Sequence, residues 1–314
     1  MDPPFIPELP QARAFLEAWL CRACPDLALL GRGAWSRAYR FSLDGREVVA
    51  RFGSQGEDFA KDRLMARIPH PGVPIPAVLA SRVTPWGFVQ VAERVSGRFL
   101  DDLEAASLGL VMPTLLTVLD ALGAVNVPGR TGFGLFNASG RAPYGSWAEA
   151  LLAVGEDDTA GRIHGWRSRL AATPTGTEPF SHAFATLRRL APDLPNESRV
   201  VHQDLLHENV FVAGPDITGV IDWGNALFGD PLYDVASLLY WLPESPRAKG
   251  FDVRPALQQH WEASGLRPYD AGRRLLACQL HIGLEAQAYN AWCGRVDQVE
   301  RWAARTLEIA RGAG

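Results

Sequence analysis

Residues 200–212 read VVHQDLLHENVFV, in which two short runs of β-branched and aromatic residues close around His202, Gln203, Asp204, His207, Glu208 and Asn209. Runs of this length suit buried strands rather than helices, so the polar side chains between them fall on one loop held at both ends. A solvated turn would draw on Gly, Pro or Asn-Gly. This one is hemmed in by Val200, Val201, Leu205, Leu206, Val210 and Phe211. Loops fixed by rigid elements are where folds carry their chemistry. The device recurs downstream in GVIDWGNALFGDPLYDVA, where the apolar run Gly219–Ile221 ends in Asp222.

Asp204 and Asn209 stand five residues apart on one loop and Asp222 begins the next. One carboxylate is thereby left free of metal, while an amide oxygen and a second carboxylate offer hard ligands of the kind magnesium prefers. Phosphoryl transfer needs this division of labour. A carboxylate orients a hydroxyl and accepts its proton, and the other oxygens hold ions that bridge the nucleotide phosphates.

The chain has 314 residues, 47% of them hydrophobic, enough to bury a sizeable core in two lobes. A net charge of -4 argues against a nucleic-acid partner, which calls for a basic face, and suits a cationic one. No uninterrupted apolar run reaches the ~18 residues of a membrane span, and the start MDPPFIPELP has no signal-peptide character. A cytoplasmic monomer without a membrane partner is expected. Cys21 and Cys24 form a lone C-x-x-C in a segment with helical apolar spacing, and Cys278 and Cys293 are too far apart to complete a zinc site. Buried thiols on a helix fit better than metal or redox chemistry.

Along the chain, apolar alternation and glycines predict strands at Ala28–Gly31, Ser36–Leu43 and Arg46–Phe52, the last two joined by an Asp44-Gly45 hairpin. A helix from about Phe59 to Ile68 follows, then two more strands, the second ending near Val95–Gly97. Beyond Gly97 the pattern turns helical, with helices expected at Pro113–Val125, Trp147–Val154, Pro179–Leu190, Tyr233–Leu242, Pro255–Ala263 and Gly272–Trp292. Residues 126–146 are rich in Gly and Pro and predict a long loop. The organisation is α+β, with a sheet-rich lobe over 1–95 and a larger helical lobe over 96–314.

His202-Gln203-Asp204 through Asn209, Ile221-Asp222-Trp223, Gly229-Asp230-Pro231 and Tyr233-Asp234 together resemble the aminoglycoside phosphotransferase family, whose fold is the two-lobed protein-kinase-like one with an antiparallel N-lobe sheet. Within it, SRAYRF, FAKDR, PIPAVL, TGFGLF and the run to Ala236 are most similar to the hygromycin B phosphotransferases. The resemblance implies Asp204 as catalytic base, Asn209 and Asp222 as Mg2+ ligands, and Asp234 as an acid supporting the loop. The family pattern has Gly where this chain has Gln203.

The segment GRGAWSRAY fits neither a dinucleotide fingerprint nor a P-loop. A glycine-turned hairpin over the phosphates fits, with Gly31 and Gly33 giving backbone access and Ser36 a donor; an ordinary turn fits equally. Kinases of this fold place a lysine on the third strand, and here that position holds Arg51, which keeps the charge with a different geometry. Asp62 is the expected partner acid, with Glu57 and Asp58 as competitors. Lys61 is an alternative cation but reads more readily as a surface residue of its helix. The purine of ATP or GTP would lie against Glu93, Arg94 and Val95.

A cationic acceptor needs acids and stacking surfaces beside the base. Asp230, Trp241 and Glu285 are the candidates favoured, ahead of Glu208, Glu156, Asp157, Asp158 and Tyr240. The expected activity is transfer of the γ-phosphoryl group of ATP or GTP to a hydroxyl of an aminoglycoside-type antibiotic, hygromycin B first, giving resistance to it. The rivals are a same-fold kinase of a macrolide or of choline, homoserine, methylthioribose or a ketosamine, and a pseudokinase that binds without turnover.

Overall fold

The computed structural model describes residues 6–33, 35–159 and 161–312. Helix α1 (Leu9–Leu20) opens on a reciprocal cap between Glu8 and Gln11. It lies across a five-stranded antiparallel sheet formed by β1 (Ala28–Arg32), β2 (Ser36–Leu43), β3 (Arg46–Gly53), β4 (Val78–Thr84) and β5 (Gly87–Glu93), in the order β1-β2-β3-β5-β4. The β2–β3 turn places both Asp44 and Gly45 at positive φ, as a two-residue hairpin of right-twisted strands requires. Side chains alternate across each strand. Tyr39, Phe41, Ala50, Phe52, Val89 and Val91 therefore bury one face against Ala12 and Leu16 of α1. Arg51 alternates with Ala50 and Phe52, and so turns to the other face, which helix α2 (Gly56–Arg67) covers.

The rest of the chain is mainly helical. It comprises β6 (Arg98–Phe99), α3 (Ala105–Gly123), β7 (Gly134–Leu135), α4 (Trp147–Leu152), α5 (Trp166–Ala171), α6 (Glu178–Leu190), β8 (Arg199–Val201), β9 (Val210–Ala213), β10 (Asp216–Val220), β11 (Leu227–Gly229), α7 (Tyr233–Trp241), α8 (Val253–Ser264), α9 (Ala271–Cys293) and α10 (Val296–Arg311). The short strands form two three-stranded sheets, β10-β9-β6 and β7-β11-β8. The polar loop after β8 thus links two different sheets, because β8 pairs with β11 while β9 pairs with β10 and β6. Helix α3 is long and apolar enough to cross a membrane by length and composition, yet Leu108, Val111, Met112, Leu115, Leu116, Leu119 and Leu122 belong to the central core. At the α9–α10 crossing Gly283 is required by close approach: a Cβ there would lie 2.2 Å from Thr306 Oγ1.

Several expectations change. Helix α3 begins eight residues before Pro113, which sits inside it rather than at its start. The 126–146 segment is not wholly irregular, since it contains β7 and the bridges Thr131–Arg141 and Phe133–Tyr144. The sequence reading did not include α10, an amphipathic helix that buries Val299, Trp302, Ala303, Thr306 and Ala310. Cys21 and Cys24 lie just past α1 rather than within it, Cys21 exposed and Cys24 buried, and all four cysteines are free.

Candidate active site

The loop between β8 and β9 is held from below. Asp234, in the first turn of α7, accepts the backbone N–H of His202 at 2.8 Å and that of Gln203 at 2.9 Å. Burial pushes the Asp234 carboxyl up, and the two backbone donors oppose the push. The buried His202 ring receives the Asp204 N–H at Nδ1 (3.3 Å), so its proton resides on Nε2 and is donated to Ile221 O at 2.9 Å. One imidazole thereby ties this loop to the residue before Asp222. Gln203, His207, Glu208 and Asp222 all hold φ between 61° and 75°, a left-handed conformation costing about 1–2 kcal/mol for a residue with a Cβ. At Gln203 a glycine would adopt this conformation without that cost. Here the side chain compensates, Nε2 donating to Glu285 Oε2 at 2.7 Å.

Asp204 has a donor on each carboxylate oxygen: His207 Nδ1 lies 2.9 Å from Oδ1, and Asn225 Nδ2 3.2 Å from Oδ2. Asn209 donates its amide nitrogen to Asp204 O at 2.7 Å and to Leu206 O at 3.4 Å, which leaves Oδ1 as a hard acceptor beside Asp204. Because Asn225 lies three residues past Asp222, its contact brings the second acid loop against the first. Among the described residues no three His, Cys, Asp or Glu side chains cluster as a closed metal cage. An amide oxygen and one carboxylate are a donor set that magnesium completes with water and phosphate oxygens, so the residues fit that ion.

Arg51 projects from β3 between two acids, Asp62 of α2 and Asp222, the latter at 2.8 Å, with its guanidinium over the Phe59 ring. Burial pulls the Arg51 pKa down, but the carboxylates more than reverse this and raise it. Burial acts oppositely on an acid, yet Arg51 leaves Asp222 below the usual carboxylate range, while Asp62 is raised. Asp62 also accepts the Trp223 N–H at 2.9 Å. Lys61 is no surface residue: it is 1% exposed, and its ammonium donates to Gly224 O at 2.9 Å and to Ala226 O at 2.6 Å. With both carbonyls bound it is not a substitute phosphate cation. Adjacent residues of α2 grip the loop carrying Asp222, and burial brings Lys61 down to about 8. Asp58 pairs with Arg162 and Glu57 accepts the Ala138 N–H, so neither competes for Arg51.

The β1–β2 connection folds tightly, Gly33 N–H donating to Ser36 O at 2.9 Å, and at Gly31 the space a side chain would fill is open. Neither Gly31 nor Gly33 has positive φ. Only at Gly31 is the backbone unobstructed, since a Cβ at Gly33 would meet Ser36 Oγ at 3.4 Å. Trp35 stacks on Trp292 of α9 at 5.5 Å and 25°, so the tip of this connection rests on the helical lobe. After β5, Glu93 N–H donates to Ala77 O and Arg94 N–H to Glu47 O, whereas Val95 N–H has no partner among the described residues. The Val95 side chain seats on Gly219, where a Cβ would come within 2.5 Å.

On the opposite flank, Asp230 is fully buried in a two-pronged ion pair with Arg274, both contacts 2.8 Å, and accepts the Leu232 N–H. It braces α7 against α9 and cannot meet an acceptor, which corrects the sequence reading. Glu285 is on hand, its side chain 41% exposed and steadied by Gln203 and the Tyr233 hydroxyl. Trp241 is half-buried, its ring 5.5 Å from that of His207, in a cleft of about 260 Å³ that Asp101, Leu206 and Glu244 also line. Tyr240 is core, its hydroxyl 3.0 Å from Thr306 Oγ1. Asp157 accepts the N–H groups of Gly165 and Arg167 at the start of α5, and Glu208 is exposed, its backbone N–H donating to Asp101 Oδ2. Sequence reasoning missed Asn225 and Asp101, which no local pattern marks.

Residues 26–275 match the phosphotransferase enzyme family, APH. The chain is 30% identical over 306 residues to the hygromycin-B 4-O-kinase of Escherichia coli, covering 91% of this chain and 84% of that protein. Its fold matches the crystal structure of aminoglycoside phosphotransferase APH(4)-Ia with a TM-score of 0.83 at 28% identity, over 96% of this chain and 98% of that one. A thermostable variant of APH(4)-Ia, in ternary complex with AMP-PNP and hygromycin B, matches with a TM-score of 0.82 at 30% identity, over 96% and 99% of the two chains. Aminoglycoside 2'-phosphotransferase-IIIa in complex with GDP shares the fold, with a TM-score of 0.66 at 15% identity over 96% and 98%.

Proposed function

The chain belongs to the APH phosphotransferase enzyme family, and on that premise we propose that it transfers the γ-phosphoryl group of ATP or GTP to a hydroxyl of hygromycin B, conferring resistance to that antibiotic. One observation carries the reading: Asn225 joins the loop of Asp204 and Asn209 to the loop of Asp222, so a proton acceptor and two hard oxygens share one corner of the interlobe cleft. The identity to the Escherichia coli kinase and the hygromycin B complex of a relative support the acceptor.

Residues 1–95 would supply the nucleotide lobe. Val95 N–H, without a partner among the described residues, would meet the purine edge beside Glu93, and the turn of Gly31 and Gly33 would bring the Gly31 backbone and the Ser36 hydroxyl to the phosphates. Arg51, held between Asp62 and Asp222, would be the cation on the nucleotide side of the site. Asn209 Oδ1 and Asp222 would hold Mg2+, which when bound offsets charge on the bridging phosphate oxygens. Asp204 orients the acceptor hydroxyl and takes its proton as the oxygen bonds to the γ-phosphorus and the bond to the nucleoside diphosphate breaks. Catalysis of this kind is chiefly positioning and charge stabilisation, matching a loop so heavily braced. Glu285 and Trp241 would receive the ammonium groups and a ring face of the acceptor. Nucleoside triphosphate supply places the reaction in the cytoplasm.

The purified protein is to be assayed with nucleotide, magnesium and hygromycin B, following nucleotide consumption and the mass of the antibiotic. Antibiotic-dependent consumption with addition of one phosphoryl group is expected, and its loss in a folded Asp204→Ala variant. Consumption stimulated by choline, homoserine, methylthioribose or a ketosamine, and not by hygromycin B, overturns the acceptor; full turnover by Asp204→Ala overturns the base.

A further inference from the structure

We propose that His207 is a positioning residue for this reaction, its Nδ1–H holding the Asp204 carboxylate in the orientation that meets the acceptor hydroxyl. The inference rests on the role given to Asp204 above. The contact is short, 2.9 Å from Nδ1 to Oδ1, and its partner on the other oxygen, Asn225, comes from a different loop. Two donors converging on both oxygens fix the plane of a carboxylate, where a single donor would leave it free to turn.

The backbone is bent to make this possible. His207 and Glu208 hold φ of 75° and 67°, consecutive left-handed residues with side chains. Such outliers persist only where the surroundings over-determine them, and they gather at functional sites. Here the surroundings are visible: Asp101 Oδ2 accepts the Glu208 N–H at 2.6 Å, and the indole of Trp241 meets the imidazole nearly edge-on, at 5.5 Å and 80°. The imidazole is thus directed back over Asp204, three residues earlier.

Fold stability does not explain the arrangement. The His207 side chain is 60% exposed, and an exposed pair of this kind contributes no more than about 1 kcal/mol. Orientation is the larger return. An aspartate has three staggered χ1 wells, and a catalytic group displaced by about an ångström loses rate steeply.

Three variants separate the hydrogen bond from its surroundings. His207→Phe keeps an aromatic ring against Trp241 without a donor. His207→Gly removes the donor and the backbone strain together. His207→Asn returns an amide N–H near the Nδ1 position on a residue that tolerates positive φ. With hygromycin B as acceptor, kcat is expected to fall roughly tenfold in His207→Phe and His207→Gly with KM for the nucleotide unchanged, and to recover most of the loss in His207→Asn. Unchanged kcat in His207→Gly, or no recovery in His207→Asn, overturns the inference. A wild-type chain inert toward hygromycin B counts against the proposed function instead. A crystal structure of His207→Gly needs no acceptor: an Asp204 carboxylate that has turned away supports the inference, and one that has kept its place overturns it whatever the substrate.

Discussion

Lys61→Met probes the grip of α2 on the loop of Asp222 and Asn225. The substitution keeps the aliphatic stem in place and removes the ammonium from Gly224 O and Ala226 O. Hydrogen bonds from a charged donor contribute about 1.5–3 kcal/mol each. Against them stands the cost of burying the ammonium, visible in the fall of its pKa from 10.5 to about 8. At ~1.4 kcal/mol per pH unit that shift amounts to about 3 kcal/mol. The net loss at pH 7 is therefore small, about 0–3 kcal/mol.

The pH dependence is sharper. A lysine whose folded pKa lies below its unfolded one is protonated in the unfolded chain but not in the folded chain between the two values, so stability rises with pH across that window. With 8 and 10.5 as the limits, the wild type gains about 2 kcal/mol on Lys61→Met between pH 7 and pH 9.5. An unfolding entropy of about 2.1 cal/mol/K per residue converts this, over 314 residues, to a melting-temperature gap that widens by about 3 °C. Thermal unfolding of both proteins at the two pH values measures it, and other titrating groups cancel in the difference. A gap that stays constant or narrows refutes the claim that burial outweighs the two carbonyls in setting the lysine's proton affinity.

Two further substitutions test the corrected and the strained positions. Asp230→Asn leaves the buried Arg274 with only Glu197, 3.4 Å away, as its anion and should cost about 3 kcal/mol, seen as a lower melting temperature, with KM for hygromycin B unchanged in the folded fraction; a raised KM with full stability would restore Asp230 to the acceptor site. Gln203→Gly relieves a φ of 71° but gives up the 2.7 Å bond to Glu285, so its melting temperature should move by no more than the equivalent of about 1 kcal/mol; a large loss would mean that the Gln203–Glu285 contact matters more than the strain.

Local pattern alone was enough for the strand–loop–strand around Asp204, the hairpin at Asp44-Gly45, most helix positions in the second lobe, and the spacing of Asp204, Asn209 and Asp222. These depend on neighbours a few residues apart, where periodicity and turn chemistry speak directly. What lay beyond reach depends on partners far along the chain. Lys61 looks like any helix lysine until the carbonyls of Gly224 and Ala226, more than 160 positions away, accept its hydrogen bonds. Asp230 and Glu285 are both acids the sequence offers, and only packing decides that Arg274 neutralises the first while the second stays partly exposed and bonded to Gln203. The two strands around Asp204 read as one unit, yet each joins a different sheet. That division, and the contact of Asn225 with Asp204, arise from long-range pairing that no local period encodes. Chemistry was therefore written in residue type and spacing, whereas its aim in space was decided by which distant groups the fold brings together.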